Sequence, residues 1–213
     1  MNDKTTVMQR LEDQKVVAIL RGVPPSRVRD VAMILVGEGI TNIEVTFSTF
    51  DASRSLEELV AMRKETGLLV GAGTVVEAET ARAALFSGAD FIVAPHFVPE
   101  VIEFCHRYDK VVIPGAFSPT EVAACGAAGA TYIKLFPAQA VGPSYLKSLL
   151  GPYPWARLMV TGGITPENGQ DYLKAGARIL GVGGYLTRGI DWENPSWDLL
   201  KERVARIARL VGR

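Results

Sequence analysis

Eight short apolar runs, each followed by a stretch of helical character, constrain the fold of this chain more than any other feature. The runs are Val16–Leu20, Asn42–Thr46, Leu68–Val70, Phe91–Ala94, Val111–Ile113, Tyr132–Phe136, Leu158–Thr161 and Ile179–Val182. They are nearly continuous in apolar residues, as suits parallel strands covered on both faces. Strands alternating with helices imply βαβ units, and eight of them fit a closed (β/α)8 barrel. Ser118-Pro119-Thr120-Glu121 reads as a capping box with proline at the first helical position, and Thr165-Pro166-Glu167 opens the next helix in a similar way. Gly39, Gly88, Gly129 and Gly176 stand where helices give way to strands, at left-handed positions that glycine suits. Thr5–Lys15 reads as a short helix covering the barrel bottom. Trp197–Val211 reads as a closing helix with Leu200, Val204, Ile207 and Val211 on one packing stripe. The expectation is one α/β domain over residues 1–213, a TIM barrel with a short N-terminal helix. The alternative, a doubly wound open sheet, lacks the GxGxxG fingerprint after its first strand.

Charge narrows the partners. The 23 basic and 23 acidic side chains cancel, and no basic block occurs. That argues against nucleic acid or an anionic membrane, both of which are met by clustered Lys and Arg. A small anion needs only one or two local cations. Cys105 and Cys125 form no CxxC pair, so neither a disulfide framework nor a zinc knuckle is expected. The N-terminus shows no cationic flank leading into an apolar segment, and no apolar run approaches the ~20 residues that cross a bilayer. A cytoplasmic protein is expected.

In barrels of this kind the chemistry collects at the C-terminal ends of the strands. Those positions hold Arg21, Glu44, Gly71-Ala72-Gly73-Thr74, Pro95, Pro114, Lys134 with Phe136-Pro137, Thr161-Gly162-Gly163 and Gly183-Gly184. Lys134 lies within a buried run, unlike the other seven lysines, which fall in helical or loop segments. Burial or a cationic neighbour lowers a lysine pKa, and the neutral amine can then attack a ketone to form an imine. Glu44 interrupts another inner strand and could move protons beside that amine. The bland reading is a structural Lys134–Glu44 ion pair. Thr161-Gly162-Gly163 and Gly183-Gly184 suit an anion site between strands seven and eight, although glycines also mark tight turns. Arg21 could grip a carboxylate or phosphate, or could simply be an exposed loop arginine. His96 and His106, the only histidines, cannot supply a three-histidine metal-ligand set, so no metal is expected.

Taken in order, these strand-end residues resemble the bacterial aldolases of 2-keto-3-deoxy-6-phosphogluconate and 4-hydroxy-2-oxoglutarate (KDPG and KHG). The likeness runs from about Val16 to Gly189, through Ala18-Ile19-Leu20-Arg21, Ile43-Glu44-Val45-Thr46, Gly71-Ala72-Gly73-Thr74, Phe91-Ile92-Val93-Ala94-Pro95, Ile113-Pro114-Gly115, Ile133-Lys134-Leu135-Phe136-Pro137, Thr161-Gly162-Gly163 and Gly181-Val182-Gly183. The resemblance implies a class I aldolase with no cofactor beyond a covalent imine on Lys134. It implies that Glu44 shuttles protons and that Thr74 helps hold the pyruvate carboxylate. It further implies that Pro95 and Phe136 wall the pyruvate pocket, and that Gly162-Gly163 with Gly183-Gly184 receive a phosphate. Its implied partners are a keto acid and an aldehyde, and its implied assembly is a homotrimer. Two departures bear on specificity. Many members carry an arginine four residues after the glutamate, where this chain has Ser48; Arg21 is expected to take over that anion binding. Many also carry a serine in the strand-eight turn, where this chain has Gly184. The favoured substrate is the phosphogluconate-derived keto acid, with the galactonate epimer and 4-hydroxy-2-oxoglutarate as alternatives. A non-catalytic barrel binding a phosphorylated metabolite is the reading outside the enzyme class.

Overall fold

The computed structural model describes residues 2–213. Nine strand segments form its sheet: β1 (Val16–Leu20), β2 (Asn42–Thr46), β3 (Leu69–Gly73), β4 (Phe91–Val93), β5 (Val111–Ile113), β6 (Gly115–Ala116), β7 (Ile133–Leu135), β8 (Leu158–Thr161) and β9 (Ile179–Val182). They are ordered β5-β4-β3-β2-β1-β9-β8-β7-β6, with every pair parallel. The ninth segment arises because Pro114 has no N–H to give to a ladder, so the fifth barrel strand splits around it. Its first part pairs with β4 and its second with β7. The ring closes at the break: Tyr132 N donates to the Val112 carbonyl at 3.4 Å, and Lys134 N to the Pro114 carbonyl at 2.8 Å. Eight βα units in a barrel is therefore the observed architecture.

Alternation along each strand sorts the side chains into two cores. Ala18, Ile43, Val70, Ile92, Val160 and Leu180 point outward and pack under the helices. Val17, Leu69, Phe91, Val111, Met159 and Ile179 point inward and fill the lower barrel, where Val7 and Leu11 of the N-terminal helix close it. That helix runs Lys4–Gln14, one residue earlier than expected, and Lys15 ends it in the left-handed conformation. Gln14 ties this plug to β2: its Oε1 accepts from Thr41 N at 3.1 Å and from Asn42 N at 3.0 Å. Above the apolar layer the inward positions turn polar, with Glu44, Lys134 and Thr161 all buried.

Most helix boundaries follow their signals. Ser118 and Glu121 form the capping box, with Glu121 Oε2 accepting from Ser118 N at 2.7 Å. At the next such start Thr165 N donates to Asn168 Oδ1 at 2.9 Å. Gly39, Gly88, Gly129 and Gly176 have φ of 75°, 100°, 77° and 110°. Strand ends move more. The expected strands Phe91–Ala94 and Tyr132–Phe136 shorten to β4 and β7, and the expected Leu68–Val70 becomes Leu69–Gly73. Gly71 and Gly73 thus belong to the ladder itself, past the expected end of the run, and their role is space. A Cβ on Gly71 would lie 2.2 Å from the Phe91 ring, and one on Gly73 would lie 1.8 Å from Glu44 Oε1. Short apolar content hides a strand that must be thin to let its neighbours turn inward.

This steric demand gives a first prediction. Gly71→Ala is expected to lower stability by about 1–3 kcal/mol, the cost typical of overpacking a filled core. Urea denaturation would read it as a reduced midpoint at unchanged slope; an unchanged midpoint would refute the steric role.

Candidate active site

β2 and β7 lie opposite one another in the eight-membered ring, and each carries one ionisable side chain at its centre. Ile43 and Val45 flank Glu44, and Ile133 and Leu135 flank Lys134; all four pack outward under the helices. Alternation leaves Glu44 and Lys134 only the barrel interior. Glu44 is 1% and Lys134 3% exposed. Both carboxylate oxygens of Glu44 are buried without a hydrogen-bond partner. The two groups therefore face the same space without a direct bond, unlike a closed structural ion pair, whose polar atoms satisfy each other.

Burial shifts both groups toward their uncharged forms. Desolvation raises the Glu44 pKa, with the charges of Lys134 and Arg21 opposing it. Desolvation also lowers the Lys134 pKa; Glu44 opposes this and Arg21 adds to it. The Lys134 Nζ lies 5.1 Å from the Phe136 ring centroid, so one wall of its surroundings is aromatic. Thr161, on β8, places a buried Oγ1 with no partner in the same region. Gly181 makes room for that hydroxyl, since a Cβ there would come within 2.3 Å of it.

Arg21 leaves the end of β1 and leans across the barrel mouth. Its Nη1 donates to Ser48 Oγ at 3.2 Å and its Nη2 reaches Thr74 Oγ1 at 3.5 Å. Ser48, the residue standing in place of an arginine, thus helps hold the arginine that comes from another strand. Thr74 has φ +59°, a left-handed conformation costly for a β-branched residue. That backbone turns it toward Arg21 at the end of β3.

A cleft of about 490 Å³ opens at the C-terminal end of the barrel. It brings together eight of the expected residues: Arg21, Lys134, Phe136, Thr161, Gly162, Gly163, Gly183 and Gly184. The N–H groups of Gly163 and Gly184 find no backbone acceptor among the described residues. Glu44, Thr74 and Pro95 lie outside this lining: Glu44 sits deeper in the barrel, Thr74 reaches the cleft through Arg21, and the Pro95 carbonyl packs against Gly115. Seven further residues complete the lining, and three of them, Gln139, Arg188 and Arg203, bring long polar side chains that the sequence did not single out. Arg188 follows Gly184 by one helical turn, and that spacing was the available signal. Arg203 comes from the last helix and had none. Arg21, Lys134, Arg188 and Arg203 thus line the cleft, and no carboxylate is among its lining residues, although Glu44 lies deeper, within electrostatic reach of Lys134 and Arg21. In a chain of zero formal net charge, this is a concentrated positive field.

The histidines are elsewhere. His96 is exposed, and His106 Nε2 bonds the Gly129 carbonyl at 3.1 Å. Among the described residues no group of three or more His, Cys, Asp or Glu side chains could hold a metal ion, and no helix is long and apolar enough to cross a membrane.

Known proteins resemble this chain in sequence and fold. The 2-dehydro-3-deoxy-phosphogluconate aldolase of Treponema pallidum is 37% identical over 184 residues, covering 84% of each chain. The native KDPGal structure superposes with a TM-score of 0.85 at 30% identity, over 92% of this chain and 93% of that one. The KDPG aldolase of Legionella pneumophila, with pyruvate captured at low pH as a covalent carbinolamine intermediate, gives a TM-score of 0.77 at 26% identity over 94% of both chains. A family model for KDPG and KHG aldolase matches residues 7–203. The barrel, its cleft and this match over most of its length lead to one conclusion: the chain belongs to the KDPG and KHG aldolase family and is an aldolase, a carbon–carbon lyase.

Proposed function

We propose that the protein cleaves 2-keto-3-deoxy-6-phosphogluconate to pyruvate and glyceraldehyde 3-phosphate through an imine on Lys134. The observation carrying this reading is a buried amine, shifted toward its neutral form, facing an unpartnered buried carboxyl across the barrel. The Lys134 nitrogen adds to the C2 ketone and water leaves. The resulting iminium withdraws electrons from the C3–C4 bond. Glu44 takes the proton of the C4 hydroxyl, the bond breaks, and the aldehyde departs. The pyruvate enamine then accepts a proton at C3, and water hydrolyses the imine to release pyruvate and the free amine. The pyruvate carbinolamine of the Legionella relative supports the first step.

The two ends of the substrate find different partners. Arg21, with Thr74 behind it, suits the keto-acid carboxylate. Gly162, Gly163, Gly183 and Gly184 suit the 6-phosphate with their backbone N–H groups, and Thr161 offers a hydroxyl between. Phe136 and Pro95 would bound the pyruvate methyl group. A second reading, favoured by the superposition on the native KDPGal structure, is the galactonate epimer of the same substrate. Unphosphorylated 4-hydroxy-2-oxoglutarate ranks third, because three arginines line a cleft more basic than one short diacid requires. A panel of kcat/KM values across the three keto acids assigns the substrate, since discrimination resides in that ratio. We place the enzyme in the cytoplasm as a homotrimer; its two free cysteines, both buried and with thiols pushed up to about 12 by burial, suit a reducing compartment.

Three outcomes are expected. Borohydride added with pyruvate should leave a stable adduct on Lys134, read by peptide mass; an active enzyme that stays unmodified would refute the imine. Glu44→Gln should lower turnover about 100- to 10,000-fold, the usual contribution of positioned proton transfer, and still trap pyruvate. Lys134→Met should abolish turnover without loss of stability near neutral pH. The folded-state pKa of Lys134 lies below its unfolded value, so between the two the folded chain binds fewer protons and stability rises with pH. Below that window the fold carries the full cost of a buried ammonium, which methionine removes. A fall of about 3–5 kcal/mol, as when one partner of a buried ion pair is deleted, would instead mark the pair as structural.

A further inference from the structure

Arg188 lies next to the glycine turn after β9, and it has no assigned role in the reading above. Its guanidinium covers Gly184: a Cβ built on that glycine would lie 3.4 Å from Nη2 and 3.9 Å from Cζ and Nε. The side chain therefore occupies the space beside Gly184 at the cleft wall. Among the described residues it makes no ion pair, and its guanidinium donates no hydrogen bond to the protein. An arginine that lines a cavity with all its donors free is set up to meet an anion that arrives from outside.

The backbone beneath it is held. Arg203, from the last helix (Trp197–Leu210), donates Nη1 to the carbonyls of Leu186 at 3.1 Å and Arg188 at 2.8 Å. This clamp fixes the turn from which the Arg188 side chain departs. Position also separates Arg188 from the other mouth arginine. Arg21 is drawn toward β2 and β3 by Ser48 and Thr74, whereas Arg188 stands over the end of β9 beside Gly183 and Gly184. Two arginines in one cleft, one held toward β2 and β3 and the other beside Gly184, suit a substrate with two anionic groups.

We propose that Arg188 is the residue that selects a phosphorylated substrate, closing its guanidinium over a phosphate monoester seated on the Gly183-Gly184 turn. The proposal rests on the aldolase reading above for the identity of the substrate, and on the geometry alone for the anion seat. Planar N–H donors and a fixed charge suit a tetrahedral oxyanion, and the absence of a side chain on Gly184 lets the guanidinium and the backbone N–H approach the same oxygen atoms. Because the phosphate is remote from the bond that breaks, the contact supports binding rather than the chemical step. Its loss should appear mainly in KM.

The test compares wild type with Arg188→Ala and Arg188→Lys on 2-keto-3-deoxy-6-phosphogluconate and on unphosphorylated 2-keto-3-deoxygluconate, by pyruvate release. The preference for the phosphorylated substrate, as a ratio of kcat/KM values, should fall about 10- to 100-fold in Arg188→Ala, the range for one charge-assisted hydrogen-bonded contact. Most of that change should lie in KM. Arg188→Lys should recover part of it, since it keeps the charge and loses the fork. Equal losses on both substrates, or an unmoved ratio, would overturn the proposal. Inorganic phosphate supplies an arm independent of turnover: it should raise the Tm of the wild type and raise that of Arg188→Ala much less. Should the wild type release no pyruvate from either acid yet show this difference, the aldolase substrate reading fails and the anion seat stands. An equal Tm response in both proteins sinks the seat itself.

Discussion

A parallel barrel covered by helices has no solvent-facing side on its strands, and this constraint governs the whole molecule. Every residue at one parity points into the helix layer and every residue at the other into the barrel. A charged side chain in mid-strand cannot escape to water, as one on an amphipathic helix can. At the bottom, Val17, Leu69, Phe91 and Met159 satisfy the rule with apolar packing, sealed by Val7 and Leu11. At the top the same rule confines Glu44 and Lys134 together in a space where charge is costly. Burial thus does two things with one geometry: it keeps the barrel solid below and drives the amine and carboxyl toward neutral forms above.

Glycine is the counterpart of that confinement. Gly71 admits the Phe91 ring to the lower core, Gly73 admits the Glu44 carboxyl, and Gly181 admits the Thr161 hydroxyl. Three missing side chains on β3 and β9 are what allow large or polar neighbours to turn inward. The site is therefore built by subtraction as much as by placement of functional groups. This explains why an unremarkable Gly-Ala-Gly run proves to be a strand. The apolar run stops at Val70 because the positions beyond it must stay small, the interior beside them being already filled.

Electrostatics divide the mouth in the same way. Arg21 is held to one side by Ser48 and Thr74, and the Arg188 turn is pinned on the other by Arg203. The chain as a whole is neutral, so the positive cleft is a product of placement. Its arginines come from the end of β1, the turn after β9 and the last helix. They are remote in sequence, and no local charge run announces them.

Much of this was legible beforehand. Five of the eight strand ranges match the observed ones, and the inward positions of Glu44 and Lys134 followed from a charged residue interrupting an apolar run. The helix-ending glycines were readable because a left-handed backbone excludes most other residues, a local property of the chain. Pairing across distance was not readable. That Ser48 would support Arg21, that Pro114 would split a strand at the seam of the ring, and that Arg203 would cross from the last helix to hold the Arg188 turn all depend on elements brought together by closure. Period and composition determined that this chain makes a barrel and which side chains must be buried in it, because alternation and φ preference act within a few residues. The barrel's closure decided which buried and mouth residues face one another, because contacts across the ring join strands far apart in the chain and no local pattern encodes their distance.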